Sequence, residues 1–209
     1  MARRWLDSAL MKAIVRSRYG GPGVLQLRDV EQPTPTGDEV LVRVRASSVN
    51  MADVDYVTGR PWATRFGTGL RRPRAAVPGI DMAGEVEAIG PDASRFAPGD
   101  RVFADLAGVG SGAWAEYVSV PETSLVAIPD GVSWEAAGAT PSSGIFAIQG
   151  VRDKRPVRAG DHVLVNGASG NVGPFAVQIA KSYGAEVTGV CRTEKMAMVR
   201  EIGADHVID

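Results

Sequence analysis

Residues 162–190 read HVLVNGASGNVGPFAVQIAKSYGAEVTGV, and the order of patterns in this stretch decides the fold. His162-Val163-Leu164-Val165 is a short apolar run of the kind buried in a parallel sheet. A glycine-rich turn follows directly. Val172, Phe175, Ala176, Ile179, Ala180 and Tyr183 then recur at helical spacing, predicting one apolar face of a helix over 171–183. Pro174 falls in the first turn, where a missing N–H costs little, and Gly184 follows as a stop. Glu186 to Val190 predicts a second strand and Glu194 to Ile202 a second helix, ended by Gly203. His206-Val207-Ile208-Asp209 begins a third strand. The sequence predicts a βαβαβ start of a doubly wound parallel sheet.

The turn, Asn166 to Gly173, departs from the dinucleotide fingerprint G-x-G-x-x-G by holding Ala168 where the first glycine stands. Gly170 lets the backbone approach a pyrophosphate, and Gly173 lets helix and strand pack closely. The helix N-terminus offers unpaired N–H groups to phosphate. Gly167, Ala168, Ser169, Gly170, Asn171, Val172 and Gly173 are therefore candidate cofactor-binding residues; the alternative is a tight structural βα turn. After the second strand, Arg192, Thr193 and Lys195 offer two cations and a hydroxyl to a 2′-phosphate, which favours NADPH. Alternatively, the cations are solvated and Thr193 caps the next helix, with Glu194 an unfavourable neighbour.

Upstream the pattern differs. Residues 11 to about 132 carry short alternating runs: Met11–Val15, Val40–Ala46, Gly84–Gly90, Arg101–Ala104 and Ala113–Val120, punctuated by glycine and proline. That grammar predicts a barrel or sandwich. Near residue 133 it changes to an Ala-rich helical segment running to about Gln149, which Ser133 caps and Pro141 breaks. Arg152 to Gly160 reads as a charged connector. A net charge of −1 gives no electrostatic footprint for nucleic acid or an anionic membrane. One cysteine, Cys191, excludes an intrachain disulfide and a multi-thiolate zinc site, and suits a reducing cytoplasmic setting. No apolar run in the sequence is long enough to span a membrane, and residues 1–10 read as a frayed tail without a secretory core.

MKAIVRSRYGGPGVLQL, DEVLVRVRASSVNMAD, VPGIDMAGEVEAIG, FAPGDRVF, GAWAEYV and VLVNGASGNVGPFAVQIAKSYGAEVTGV together resemble the quinone oxidoreductase-like branch of the medium-chain dehydrogenase/reductase superfamily. The resemblance runs from Met11 to Asp209. It implies an α/β protein with a GroES-like β-barrel catalytic domain over 11–132 and the first half of a Rossmann domain over 133–209. It implies hydride transfer from NADPH to a quinone, enone or related carbonyl compound, a small-molecule substrate, and homo-oligomers among full-length relatives. Zinc is not expected. Asn50 stands where zinc-dependent relatives keep a ligand cysteine, Gly79-Ile80-Asp81 replaces their Gly-His-Glu, and residues 105–112 lack the structural cysteines. His162 and His206 are not expected to rebuild a site, since one precedes a strand and the other begins one.

Asn50 matches the family's active-site asparagine, expected to orient the nicotinamide or donate to a substrate oxygen; the alternative is an Asn held by local backbone bonds. Asp53 reads as a helix cap and Tyr56 as core packing. Phe146 stands near where the family keeps a threonine beside the nicotinamide. Arg71, Arg72 and Arg74 form a basic run, either facing an anionic substrate or solvated in a loop. A dinucleotide domain needs two halves, so the chain is expected to be a fragment with a raw sheet edge. The rival functions are a zinc-free NAD(P)-dependent alcohol dehydrogenase and a non-catalytic fragment acting as a binding piece.

Overall fold

The computed structural model describes residues 9–153 and 155–209; the sequence reading of the extreme N-terminal tail falls largely outside them. Two compact units divide after Pro141, a little beyond the change of pattern at residue 133.

The first unit is built on antiparallel strands. β1 (Leu10–Val15) and β2 (Gln26–Glu31) pair as a hairpin. β3 (Glu39–Ser47), β4 (Asp81–Ile89), β5 (Arg101–Asp105), β6 (Tyr117–Pro121) and β7 (Val126–Ala127) form a sheet in the order β6-β3-β4-β5-β7. β1 also lies beside residues 114–116, with Ile14 N donating to Trp114 O at 2.8 Å and Glu116 N to Lys12 O at 3.0 Å. Alternation along these strands sends Val40, Val42, Met82, Val86, Val102, Val120 and Leu125 into one core. Each such side chain contributes roughly 1.5–3 kcal/mol by leaving water.

The run from Ala113 does not become a ladder strand until Tyr117; residues 113–116 are irregular, with a single bridge between Ala13 and Ala115. Between β3 and β4 the chain makes two helices, α1 (Met51–Thr58) and α2 (Thr64–Thr68). After β7, α3 (Trp134–Gly138) is capped by Ser133, whose Oγ accepts from Ala136 N at 3.2 Å. α3 packs on the sheet, with Ala137 buried beside Ala83 and Ile128. Pro141 does break the Ala-rich segment: it opens a separate helix, α4 (Pro141–Ile148), which widens into a π-helical turn at Gln149–Asp153. The start of the expected charged connector is thus helical.

The second unit holds the parallel sheet. β8 (His162–Asn166), β9 (Glu186–Val190) and β10 (His206–Ile208) lie in the order β10-β9-β8, every neighbour parallel. α5 (Gly173–Ser182) joins β8 to β9, and a 3₁₀ turn (Thr193–Lys195) with α6 (Met196–Glu201) joins β9 to β10. This is the α/β arrangement expected from the sequence. Two details differ. Only Val165 of the β8 run is buried, and Leu164 is exposed. Leu164, Thr188 and Val190 share one sheet face, whereas α5 and α6 pack on the face carrying Val165, Val187 and Val207. On α5 the fully buried ridge is Gly173, Val177 and Ala180, so the predicted face is rotated: its Ala176, Ile179 and Ala180 pack inward, whereas Tyr183 is exposed. Gly173 sets that rotation, because it is the residue that must abut the turn. Among the described residues no helix is long and apolar enough to cross a membrane.

Candidate functional site: a phosphate turn and a capped helix

The end of β8 and the start of α5 enclose the glycine-rich turn. Gly167 adopts a φ of 79°, a left-handed conformation that glycine takes without strain. The positive-φ requirement thus falls on Gly167, one residue before the position the fingerprint alignment suggests. That is why Ala168 is tolerated: it is fully buried and packs its methyl towards β9 at Gly189. Gly167 N and Ala168 N both donate to Val190 O, at 3.0 and 2.9 Å, which locks the turn to the end of β9. A Cβ on Gly173 would overlap the Gly167 carbonyl oxygen and lie 2.6 Å from Ala168 Cα. Close approach there requires glycine.

α5 begins with no side-chain cap, since its N-cap is Val172 and Pro174 occupies the first turn. First-turn amides without an intrahelical acceptor, at the positive end of the helix dipole, suit a phosphate. A cleft of about 520 Å³ opens beside this turn. Gly167, Ser169 and Gly170 line it from one side, Arg192 and Lys195 from the other. The turn and the two cations, separated in sequence, therefore meet at one cleft. Asn171, Val172 and Gly173 do not line it; Val172 and Gly173 form the helix start behind it.

Of the two carboxylates at this cleft, sequence reasoning flagged Glu194 and missed Asp209. Asp209 lines it, and Thr193 donates its hydroxyl proton to the Asp209 carboxylate. Glu194 also lines it and stands 4.0 Å from Arg192, with both side chains largely exposed. Two cations and two carboxylates border the same space. Thr193 is thereby tied to Asp209. The signal for Asp209 was only its place at the end of a third parallel strand, where cleft residues of such sheets gather.

In the first unit, Asn50 is the N-cap of α1. Its Oδ1 accepts from Ala52 N at 2.9 Å and Asp53 N at 3.3 Å, and Asp53 Oδ2 accepts from Asn50 N at 3.0 Å, a reciprocal capping box. Asn50 Nδ2 donates to Asp81 Oδ2 at 3.0 Å, which also accepts from Ser48 Oγ at 2.9 Å. Asn50 is 7% exposed. Its local bonds occupy the side-chain oxygen and one amide hydrogen, leaving the second hydrogen to offer.

Asp53 is buried, with Oδ1 accepting from Ile80 N at 3.2 Å. Burial pushes its carboxyl up to about 6, with Asp81 and Asp105 adding to the rise and the Asn50 and Ile80 amides opposing it. A folded-state pKa raised above the ordinary 3.8 means the native protein holds this proton more tightly than the unfolded chain. Stability from Asp53 is thus fully present below about 3.8 and declines as pH rises to about 6. A carboxyl-carbon NMR titration is expected to place the Asp53 midpoint near 6; a midpoint near 4 would contradict the burial argument.

Tyr56 is not core packing. It is half-buried against a cavity, and burial and nearby carboxylates raise its phenol above the ordinary range. Arg71 and Arg72 are solvent-exposed, whereas Arg74 lines that same cavity. Phe146 is 58% exposed on α4. His162 and His206 lie on flanking strands and converge on Glu186, at 3.6 and 2.8 Å, a meeting the sequence reading did not foresee. Among the described residues no three His, Cys, Asp or Glu side chains are grouped to hold a metal ion.

These features agree with comparisons to known proteins. Residues 36–130 match the alcohol dehydrogenase GroES-like domain and residues 171–209 the zinc-binding dehydrogenase family. The chain is 36% identical over 203 residues to the quinone oxidoreductase of Homo sapiens, across 96% of this chain and 59% of that protein. The quinone oxidoreductase structure from Coxiella burnetii superposes with a TM-score of 0.82 at 27% identity, over 96% of this chain and 62% of that one. A structure described as an NAD-dependent alcohol dehydrogenase superposes at 0.83 with 35% identity, over 95% and 63%. The chain spans about three fifths of the length of these relatives. It belongs to the medium-chain dehydrogenase/reductase superfamily, in the quinone oxidoreductase-like branch.

Proposed function

We propose that this chain carries the catalytic-domain fold and the phosphate-binding half of a zinc-independent, NADPH-dependent oxidoreductase that reduces a quinone, enone or related carbonyl compound in a reducing, cytoplasmic setting. The observation that carries the reading is the convergence of the Gly167–Gly170 turn with Arg192 and Lys195 at one cleft. A nicotinamide dinucleotide, when bound, supplies the hydride. The turn amides and the uncapped start of α5 would hold its pyrophosphate, and Arg192 and Lys195 would flank the 2′-phosphate.

The donor set for zinc does not fit. Asn50 and Ile80 occupy the two ligand positions of zinc-dependent relatives, and a four-coordinate ion needs three or four N, S or O donors. Polarising a carbonyl then falls to hydrogen bonding, for which Asn50 keeps one Nδ2 hydrogen while its oxygen fixes α1.

A second reading is an NADH-using alcohol dehydrogenase. Glu194 and Asp209 favour it, because they balance the two cations at the place where an acid would suit unphosphorylated ribose. Following NADPH oxidation with quinones and enones, and with NADH and simple alcohols in parallel, separates the two. In binding, Arg192→Ala combined with Lys195→Ala is expected to weaken NADPH about tenfold and leave NADH nearly unchanged. Equal losses for both dinucleotides would remove the case for a 2′-phosphate site.

A further inference from the structure

The first unit contains a cavity of about 780 Å³, within the range of small-ligand sites. Its wall includes Arg16, Tyr56, Thr64, Thr68, Arg74 and Ser111. Arg16 follows β1 and is 5% exposed. Its Nη1 donates to the Tyr56 carbonyl, while its Nε has no hydrogen-bond partner among the described residues. Nor does it enter an ion pair among those residues. A guanidinium does not lose its proton in a protein. Burial disfavours its charge, and the nearby Tyr19 and Asp53 oppose that effect only in part, without an ion pair.

The surroundings hold this cation in place. Tyr19 presents its ring to Arg16 at 5.6 Å and to Arg65 at 4.6 Å, and its hydroxyl bonds Thr68 Oγ1 at 2.8 Å and Gly69 O at 2.6 Å. Arg74 N donates to Thr68 O at 2.8 Å, so the loop bearing the second cation of the wall is anchored to the same helix end. Two guanidinium groups and four hydroxyls therefore border a cavity that also has the apolar side chains of Ala63, Ala75 and Val109. Among the described residues no carboxylate lines the wall, although Asp105 and Asp53 act electrostatically on Tyr56.

We propose that this cavity is a binding site for the carboxylate of a small organic acid, with Arg16 and Arg74 supplying the charge and the alanine and valine wall taking the apolar body. A planar guanidinium matches a carboxylate through two parallel N–H bonds. The apolar wall selects an organic acid over a bare inorganic anion. Taken together with the oxidoreductase reading, on which this extension rests, the site would select carbonyl substrates bearing an acid group. As an anion site it stands independently of that reading.

The test is calorimetric titration of the 209-residue chain, without dinucleotide, using benzoate, its neutral counterpart benzamide, and inorganic phosphate. Benzoate is expected to bind saturably and at least about tenfold more tightly than benzamide or phosphate. Arg16→Gln is expected to abolish that binding and Arg74→Gln to weaken it about tenfold. Arg74 is exposed, so its variant decides the matter if Arg16→Gln does not fold. The proposal is overturned by absent benzoate binding, by equal binding of benzamide or phosphate, or by an unchanged affinity in a folded Arg74→Gln chain. Because no NADPH is present, failure here is distinct from failure of the cofactor reading.

Discussion

Gly173→Ala is expected to destabilise the second unit by about 3 kcal/mol or more and to weaken NADPH binding at least tenfold. The added Cβ would overlap the Gly167 carbonyl oxygen and come within 2.6 Å of both Cα and C of Ala168. All three atoms are backbone, and two residues of that backbone are tied to Val190 O. Neither side has a flexible chain end that can step aside, so the cost lies at the upper end of overpacking effects. α5 must tilt away, carrying with it Val177 and Ala180, which are fully buried against the sheet.

Gly170→Ala provides the contrast. A Cβ there meets only Gly167 O at 3.2 Å, and its φ is not in the left-handed region. Stability should change by no more than about 1 kcal/mol, while affinity falls because the methyl stands where a pyrophosphate approaches. Urea denaturation paired with dinucleotide titration reads both quantities. Equal stability losses for the two variants would show that the close helix approach at Gly173 is not what fixes the turn.

Asn50→Ala is expected to cost the first unit about 3 kcal/mol. Losing the cap removes the acceptor for Ala52 N and Asp53 N, worth about 1–2 kcal/mol. It also removes a donor to the buried Asp81 carboxylate, which adds about 1–3 kcal/mol. Asn50→Ser retains a capping oxygen and loses the bond to Asp81, so it should fall between wild type and alanine. Thermal denaturation of the three proteins decides this. If serine and alanine cost the same, the cap is not the main contribution of the residue. If neither costs more than about 0.5 kcal/mol, its local bonds are dispensable, leaving the family's active-site role as the remaining account.

The legible part of the structure was the part written in period and punctuation. The runs at 163–165 and 187–190, the glycines at 167, 170 and 173, and the proline at 174 announced strand, turn and helix in order. The rotation of α5 was not legible, because counting apolar residues weighs Phe175 and Tyr183 above a glycine. In the packed protein the missing side chain of Gly173 chooses the face. The tolerated Ala168 was likewise obscure, since a fingerprint fixes spacing but does not say which residue takes the positive φ.

Pairings across long separations were the other blind spot. Asp209 meets Thr193, both histidines meet Glu186, and Arg16 reaches the carbonyl of Tyr56. Strand order and loop course create those contacts, and neither appears in local composition. Asn50 shows the reverse case. Its family position suggested chemistry, whereas Asn-x-x-Asp is also a cap spacing, and the structure uses both residues in that way.

On the proposed function, the glycine-rich turn and the Arg192/Lys195 pair form a dinucleotide half-site selective for the 2′-phosphate. A fluorescence titration of the purified 209-residue chain with NADPH, and in parallel with NADH, tests it most directly. Saturable binding that favours NADPH by about tenfold is the expected result. A folded chain that binds neither dinucleotide, or binds NADH as tightly as NADPH, would contradict it.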